Sequence, residues 1–233
     1  MIINITGIGW VTAGNMGCGK DHDHFALSDG SLPVIEQGEL FERPYPSFRR
    51  MDEYSKLGIA AIAFALKDAD LDQWTHKRNI GIIVSTEYGC LGVDLDFYGT
   101  VLREEGVGAS PALFAYTLPN SFLGDAAILF GLTGKSFVIN PSRPLGLDCL
   151  KLAFDSLLLG ECDQILCGAN NLKPPSPFDR HSKAAPGALF FVLEKSGRAS
   201  GYGRLGFNKK GVVEFEGKEV QDLSEIVRHC LAR

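Results

Sequence analysis

The sequence lacks the features that direct proteins to membranes or to nucleic acids. It has no apolar run long enough to cross a bilayer, and residues 2–13, though apolar, have neither a basic lead nor a small-residue cleavage site. The net charge is −5 and the sequence pI is near 5.6, whereas nucleic-acid binding needs a basic face. We therefore expect a soluble cytoplasmic protein that binds neither membranes nor nucleic acids.

The six cysteines also lack the spacing of a metal-binding or redox motif. No two of them form a C-x-x-C pair, and no pair of histidines completes a zinc pattern. Cys149, Cys162 and Cys167 stand in apolar surroundings, where a free cysteine behaves as a small buried hydrophobe. We expect buried, unpaired thiols in a reducing compartment, and neither a metal nor a cofactor.

One glycine-rich segment has the spacing of a phosphate-binding loop. Gly14, Gly19 and Lys20 match that loop, but Asp21 replaces the hydroxyl-bearing residue that would hold Mg²⁺. The loop also needs a long helix behind it, and the polar residues that follow Asp21 soon reach a loop-like segment. We therefore do not predict nucleotide binding.

The pattern of the whole chain indicates a layered α/β domain with a mostly parallel central sheet. With 233 residues and 45% hydrophobic content, the chain can fill one sizeable core. Helical periodicity alternates with short apolar runs that are typical of buried strands. We predict helices over 52–69, 93–105, 120–130, 222–231 and from Leu147, strands over 2–8, 80–84, 136–140, 165–168, 188–193, 204–207 and 212–215, and strand or loop over 109–116.

A sharp turn follows the predicted strand 136–140. Asn140-Pro141-Ser142 ends the strand, and Pro144 suits the first position of the helix that continues from Leu147. The N-terminus of a helix gathers partial positive charge, which favours anions and activated nucleophiles. Residues of this turn are therefore the candidates for chemistry.

Motifs on both sides of this turn resemble the β-ketoacyl-acyl-carrier-protein synthases of the thiolase superfamily. The central motifs are Phe114–Ser121 and Phe130–Ser136, and the resemblance covers roughly residues 2–205. Supporting segments in the family's order are Ile5–Gly9, Met51-Asp52, Gly160–Asp163, Cys167–Ala169 and Gly187–Glu194. The resemblance implies a thiolase-like N-terminal half. We expect a single domain over 1–233, with a core over about 2–205 and a hairpin and C-terminal capping helix over 206–233.

The nucleophile position departs from the family. The resemblance places Arg143 where active ketosynthases carry the acyl-accepting cysteine, and a guanidinium offers no usable lone pair for attack on a thioester. Ser142 would need a base to replace it, and Cys149 is expected to be buried in the helix. Three roles for Arg143 stay open: a structural ion pair, an anion-binding group or a catalytic group. Tyr88, which follows the strand 80–84, completes the candidate pocket residues but favours packing.

The histidines depart as well. The family's second half supplies two histidines for decarboxylation and condensation, and none of the five histidines here stands in such a motif. We therefore expect no condensation by this chain alone, which leaves its status as an enzyme open although the family is one of acyltransferases.

The resemblance also implies partners. It places the helix with Phe122 and Phe130, and the strand with Phe137, at a two-fold dimer contact; burial in the chain's own core is compatible with this. Carrier proteins of these pathways are acidic, so docking one would need a basic patch. The candidates are Arg43, Arg49, Arg50 and Lys56, although the sequence favours a solvated surface cluster over a docking patch.

Three functions are consistent with these residues. The first is a non-condensing partner of a ketosynthase or acyl carrier protein in fatty-acid or polyketide assembly, similar to chain-length factors, acting as a homodimer or with a ketosynthase. The second is an acyl- or phosphopantetheine-binding protein, or an enzyme of different chemistry, that uses Arg143 as an anion site. The third is a scaffold without a ligand.

Overall fold

The computed structural model describes residues 2–21, 25–28, 30–41, 44–141, 146–195 and 201–232. The strands are β1 (Ile3–Thr12), β2 (Met16–Cys18), β3 (Ile80–Ser85), β4 (Ser136–Ile139), β5 (Gln164–Asn171), β6 (Gly187–Lys195), β7 (Gly203–Phe207), β8 (Val213–Phe215) and β9 (Lys218–Glu219). The helices are α1 (Gln37–Leu40), α2 (Glu53–Asp68), α3 (Leu91–Leu102), α4 (Pro111–Phe114), α5 (Ser121–Phe130), α6 (Leu147–Leu158) and α7 (Leu223–Leu231). Short 3₁₀ helices span Gly19–Asp21, Pro46–Arg50, Arg103–Gly106 and Phe178–His181.

The described strands form one mixed sheet in the order β4-β3-β5-β6-β1-β7-β8-β9, with β2 paired to β1. Only β3 pairs in parallel, with β4 and β5, and the other pairs are antiparallel. The layered α/β class is confirmed. The predicted parallel pairing, however, is limited to β3, β4 and β5. Parallel strands need a long crossover, and α6 provides it between β4 and β5, which lie on either side of β3. The segment from β5 to β6 contains only a 3₁₀ turn, and β6 returns antiparallel.

Helices α2 and α5 pack on one face of the sheet. Asp52 caps α2 by accepting a hydrogen bond from the Ser55 backbone N–H at 3.2 Å. The alanine-rich face of α2 lies so close to β1 that a Cβ at Gly9 would meet the backbone N of Ala65 at 2.2 Å. The Gly7-Ile8-Gly9 segment therefore permits close contact between the helix and the strand.

Helices α6 and α7 pack on the opposite face. Strand β3 divides its side chains accordingly, with Ile82 in the core beneath α2 and Ile83 in the core beneath α6. Asp222 caps α7 by accepting from the Glu225 backbone N–H at 2.8 Å. The buried residues of α7 are Leu223, Ser224, Ile226, Val227 and Cys230. The predicted hairpin and C-terminal helix are thus both present.

A buried carboxylate joins β1 to the glycine-rich segment. Asp68 accepts hydrogen bonds from the backbone N–H groups of Ile8 and Lys20, at 2.7 and 2.6 Å, and from the Tyr202 hydroxyl at 2.9 Å. Burial raises the pKa of Asp68, and the Ile8 and Tyr202 bonds oppose that shift. A Cβ at Gly19 would meet the Tyr202 hydroxyl oxygen at 2.2 Å. The segment with the phosphate-loop spacing therefore forms β2 and a 3₁₀ turn at a structural joint.

Several element boundaries differ from the predicted ones, and two of the differences have a clear local cause. Strand β1 extends to Thr12 because Trp10 and Val11 are buried. The segment 109–116 contains the short helix α4, which Ser110 caps by accepting from the Leu113 backbone N–H at 3.3 Å. In the described part of the chain, no helix has both the length and the apolar character needed to span a membrane.

Candidate functional site

A cavity of about 240 Å³ lies at the carboxyl ends of the parallel strands. Ser85 ends β3, Asn171 ends β5, Pro141 follows β4, and Gly146 precedes α6. The other lining residues are Thr12, Leu27, Glu87, Ala169, Lys183, Ala184, Ala185, Gly187, Ala188, Leu189, Asp222, Leu223 and Ser224. This edge of an α/β sheet is where such folds bind ligands.

The carboxylate of Glu87 holds the loop that forms one side of the cavity. It accepts hydrogen bonds from the Ser182 hydroxyl at 2.9 Å and from the backbone N–H groups of Lys183 and Ala184, each at 3.1 Å. Hydrogen bonds to an ionised acceptor are stronger than neutral ones. Residues 182–184 are therefore fixed against the end of β3.

The backbone of Glu87 joins the two neighbouring strands to the same point. Its N–H donates to Asn171 Oδ1 at 2.8 Å, and its carbonyl accepts from Asn140 Nδ2 at 3.2 Å. One residue thus connects the ends of β3, β4 and β5 with the loop that precedes β6. Glu87 was not among the residues predicted from the sequence. An acidic residue just after a buried strand, at the carboxyl end of the sheet, could have indicated it.

Two polar side chains of the lining are free to bind a ligand. Ser85 is 2% exposed, and within the described residues its hydroxyl has no hydrogen-bond partner. Lys183 is exposed, and its ammonium group forms no ion pair with any described residue. A hydroxyl and an ammonium are donors, so the cavity suits an acceptor such as a carbonyl oxygen.

The predicted turn lies partly outside the described residues. Ser142 and Arg143 belong to the segment 142–145, which the structure does not describe. The residues on either side of it, Pro141 and Gly146, both line the cavity. Arg143 therefore stays a prediction.

The other two candidate pocket residues lie away from the cavity lining. Cys149 is fully buried, and its thiol donates to the Gly146 carbonyl at 2.8 Å. Tyr88 is half-buried and packs its ring against Phe178, with ring centroids 6.5 Å apart. Tyr88 thus contacts a neighbouring ring, and Cys149 lies behind Gly146, which lines the cavity.

All six cysteines are buried and unpaired, as expected for a protein with reduced thiols. Burial raises the pKa values of Cys18 and Cys90 to about 12, and nearby aspartates add to the shift. Burial and the neighbouring Cys149 also raise the pKa of Cys167. The described lining of the cavity contains no cysteine and no histidine. Among all the residues that the structure describes, no group of three or more His, Cys, Asp and Glu side chains could hold a metal ion.

Of the three predicted dimer-contact residues, two are buried in the core of the chain and one is half-buried. Phe122 is fully buried, edge-to-face on Tyr54 with centroids 5.5 Å apart, and Phe130 is buried in the same core. These two rings therefore pack within their own chain. Phe137 is half-buried on β4, and the outer side of α5 exposes 71% of Ile128.

Comparison with known proteins places these features in a family context. The family model described as "Beta-ketoacyl synthase, N-terminal domain" matches residues 37–187. A putative polyketide beta-ketoacyl synthase 1 from Streptomyces virginiae is 26% identical over 181 residues, covering 63% of this chain and 43% of that protein. The tetracenomycin polyketide synthase ketoacyl synthase alpha subunit from Streptomyces glaucescens is 28% identical over 133 residues, covering 54% and 31%. The chain thus spans less than half the length of these relatives.

Solved structures confirm the thiolase-like fold. The ishigamide ketosynthase/chain length factor aligns with a TM-score of 0.68 at 16% identity, covering 88% of this chain and 62% of that one. A type II acyl-carrier protein in complex with its ketosynthase aligns with a TM-score of 0.67 at 22% identity, covering 88% and 67%. At these identities the likeness establishes the fold alone.

Replacing Glu87 with alanine should release the loop at 182–184. The substitution removes the carboxylate that accepts from all three donors. Each lost charge-assisted hydrogen bond is worth roughly 1.5–3 kcal/mol. We expect amide hydrogen exchange at Lys183 and Ala184 to become faster by at least about tenfold, measured by NMR. Glu39→Ala, an exposed change on α1, should leave these rates unchanged. Equal protection in both variants would show that Glu87 does not hold the loop.

Proposed function

Because this chain belongs to the β-ketoacyl synthase family through its N-terminal domain, we propose that it is a non-condensing accessory protein of fatty-acid or polyketide assembly. It would pair with a ketosynthase-like subunit and receive an acyl carrier protein. Two structural neighbours are such assemblies, one a ketosynthase/chain length factor and one a carrier protein in complex with its ketosynthase.

The burial of every thiol carries the proposal. Thioester exchange needs an accessible thiolate, and all six cysteines are buried away from the described cavity lining. The buried Cys149 thiol donates a hydrogen bond to the Gly146 carbonyl, which supports the proposal that it does not act as a replacement nucleophile. Arg143, at the family's nucleophile position, is a permanent cation. These observations support a role in binding rather than condensation.

An unpaired sheet edge and an exposed apolar surface support pairing with a second subunit. In the described sheet β4 is an edge strand that pairs only with β3, and such edges are templates for another chain. The segment 95–128 exposes a set of apolar side chains, which we call the outer apolar surface. Its members are Leu95, Tyr98, Leu102, Val107, Phe114, Leu118 and Ile128. Exposed apolar patches of this kind mark interaction sites.

Charging this surface should weaken pairing. Ile128→Asp places a carboxylate in the proposed contact, so we expect the dimer, formed with itself or with a ketosynthase encoded beside it, to dissociate at least about tenfold more readily. Sedimentation velocity of the chain, alone and mixed with that ketosynthase, measures this. Leu159→Asp is the matched control, because Leu159 is 76% exposed at the end of α6. A chain that stays monomeric in both samples would refute the pairing.

A pair of exposed arginines supports docking of an acidic carrier protein. Arg49 and Arg50 end the 3₁₀ helix before α2, and Lys56 lies one turn into α2. These three side chains form no ion pair with any described residue, and Arg43 lies outside the described residues. Unpaired surface cations are available to steer an anionic partner.

Reversing the two arginine charges should weaken carrier-protein binding. We expect Arg49→Glu with Arg50→Glu to raise the Kd for the acyl carrier protein by at least about tenfold, with a loss of salt dependence. Titration calorimetry at two ionic strengths measures both effects. Lys209→Glu with Lys210→Glu, in the exposed turn between β7 and β8, makes the same charge change elsewhere. Equal weakening by both pairs would indicate only a net-charge effect and would reject this docking site.

The free donors in the cavity favour a second function, which is binding of the acyl thioester arm that a carrier protein presents. Among the described residues the Ser85 hydroxyl has no hydrogen-bond partner, and Lys183 lines the same cavity. Leu189 and Leu223 supply apolar wall beside these donors. A thioester carbonyl with an attached acyl group combines the two kinds of contact.

A further inference from the structure

A second and larger cavity, a groove of about 700 Å³, lies apart from the candidate site. Its described lining shares no residue with the lining of the candidate site. The groove is lined by three parts of the chain, which are residues 30–35, the first turns of α2, and residues 172–173 with Pro186. The family model matches only from residue 37, so the first of these parts lies outside the matched segment.

Residues 31–35 carry free backbone groups along the groove. They belong to no helix or strand, and none of their backbone groups is hydrogen-bonded to a described residue. Pro33 keeps the preceding Leu32 extended, and Glu36, which follows the segment, is extended as well, with φ of −90° and ψ of 128°. An extended segment with unpaired N–H and C=O groups is a template for a further strand.

Apolar side chains hold this segment in position. Leu32 and Ile35 are partly buried and pack against the core beneath α2, whereas Val34 between them is 79% exposed. Leu172, from another part of the lining, packs against the same core. The groove is therefore formed before a partner binds, which lowers the entropic cost of binding.

The charges of the groove favour an acidic partner. Lys56 and Lys173 both line it, and neither ammonium group forms an ion pair with a described residue. Glu53 is the single carboxylate of the described lining, so two ammonium groups stand against one carboxylate. Leu57, which is buried, and Pro186 supply apolar surface in the same groove. A partner that carries a carboxylate beside apolar side chains matches both features.

We propose that this groove binds an extended peptide segment of another protein, which pairs with residues 31–35 as an added β-strand. The backbone N–H and C=O groups of Leu32 and Val34 pair with the peptide. Pro33 between them has no N–H, but it lies in the opposite register, where a missing donor costs no hydrogen bond to the peptide. The contact does not involve the candidate site.

Main-chain pairing gives such a contact its affinity, and the side chains give it its selectivity. Because strand side chains alternate, every second residue of the peptide faces the groove. Apolar residues at these positions contact Leu57, and an acidic residue contacts Lys56 or Lys173. A small organic anion would use the two lysines but would leave the backbone groups of residues 31–35 unpaired. A peptide therefore matches the groove better.

Selection from a peptide library tests the proposal. Random peptides of about twelve residues, displayed on phage, are selected on the immobilised full chain, and the enriched peptides are titrated by fluorescence anisotropy. We expect enriched sequences in which apolar residues alternate and at least one Asp or Glu is present. Val34→Pro removes one paired N–H at an exposed position and should raise the Kd by at least about tenfold. Bound peptide should also slow amide hydrogen exchange at Leu32 and Val34, measured by NMR.

Matched variants separate backbone pairing from charge. Ser31→Pro makes the same change at an exposed residue of the opposite register and should leave the Kd unchanged. Lys56→Gln with Lys173→Gln should raise the Kd at low salt and remove its salt dependence. Lys209→Gln with Lys210→Gln, in the exposed turn between β7 and β8, should have no effect.

The outcomes are distinct. Absence of any enriched peptide, or equal binding of the enriched peptides to the native chain and to Val34→Pro, would overturn the proposal. Loss of binding in the lysine variant alone would indicate a small-anion site and would overturn it as well. Circular-dichroism melting of each variant identifies a folding defect, and the exchange rates of the native chain test the pairing without a substitution. Arg49→Glu with Arg50→Glu should leave peptide binding unchanged, which separates this groove from carrier-protein docking.

Discussion

The Glu87 carboxylate is the interaction on which the candidate site depends. It accepts from Ser182, Lys183 and Ala184, while its backbone bonds to Asn140 and Asn171. Strand ends that are far apart in the sequence are thereby fixed around one cavity. The cavity's shape follows from this arrangement rather than from any single wall.

The sheet explains how one chain builds two different faces. The α2 face is alanine-rich and close-packed, and the α6 face ends at the cavity and is completed by α7. The parallel strands β3, β4 and β5 deliver their carboxyl ends to the cavity, and the antiparallel strands beyond β5 form the platform for α7. The strand order therefore determines both the architecture and the position of the cavity.

Local signals in the sequence predicted most of the elements, and long-range contacts decided what those signals could not. Helix α2 follows from the Asp52 cap and an apolar face, and β3 follows from an apolar run. The direction of β6 depends on pairing with β1 and β5, which no local pattern contains. Glu87 and Leu223 became site residues only when the fold joined distant segments. Phe122 faces inward and packs edge-to-face with Tyr54. The helical periodicity of the sequence does not specify this long-range contact.

The central proposal is that this family member binds acyl groups without accepting them covalently. Its thiols are buried, and we predict that Arg143 stands at the family's nucleophile position. The most direct measurement is the intact mass of the protein after incubation with acyl-loaded carrier protein or acyl-CoA. The account predicts an unchanged mass for the native chain and a gain of one acyl group for Arg143→Cys. An acyl adduct on the native chain, at Ser142 or Cys149, would contradict it.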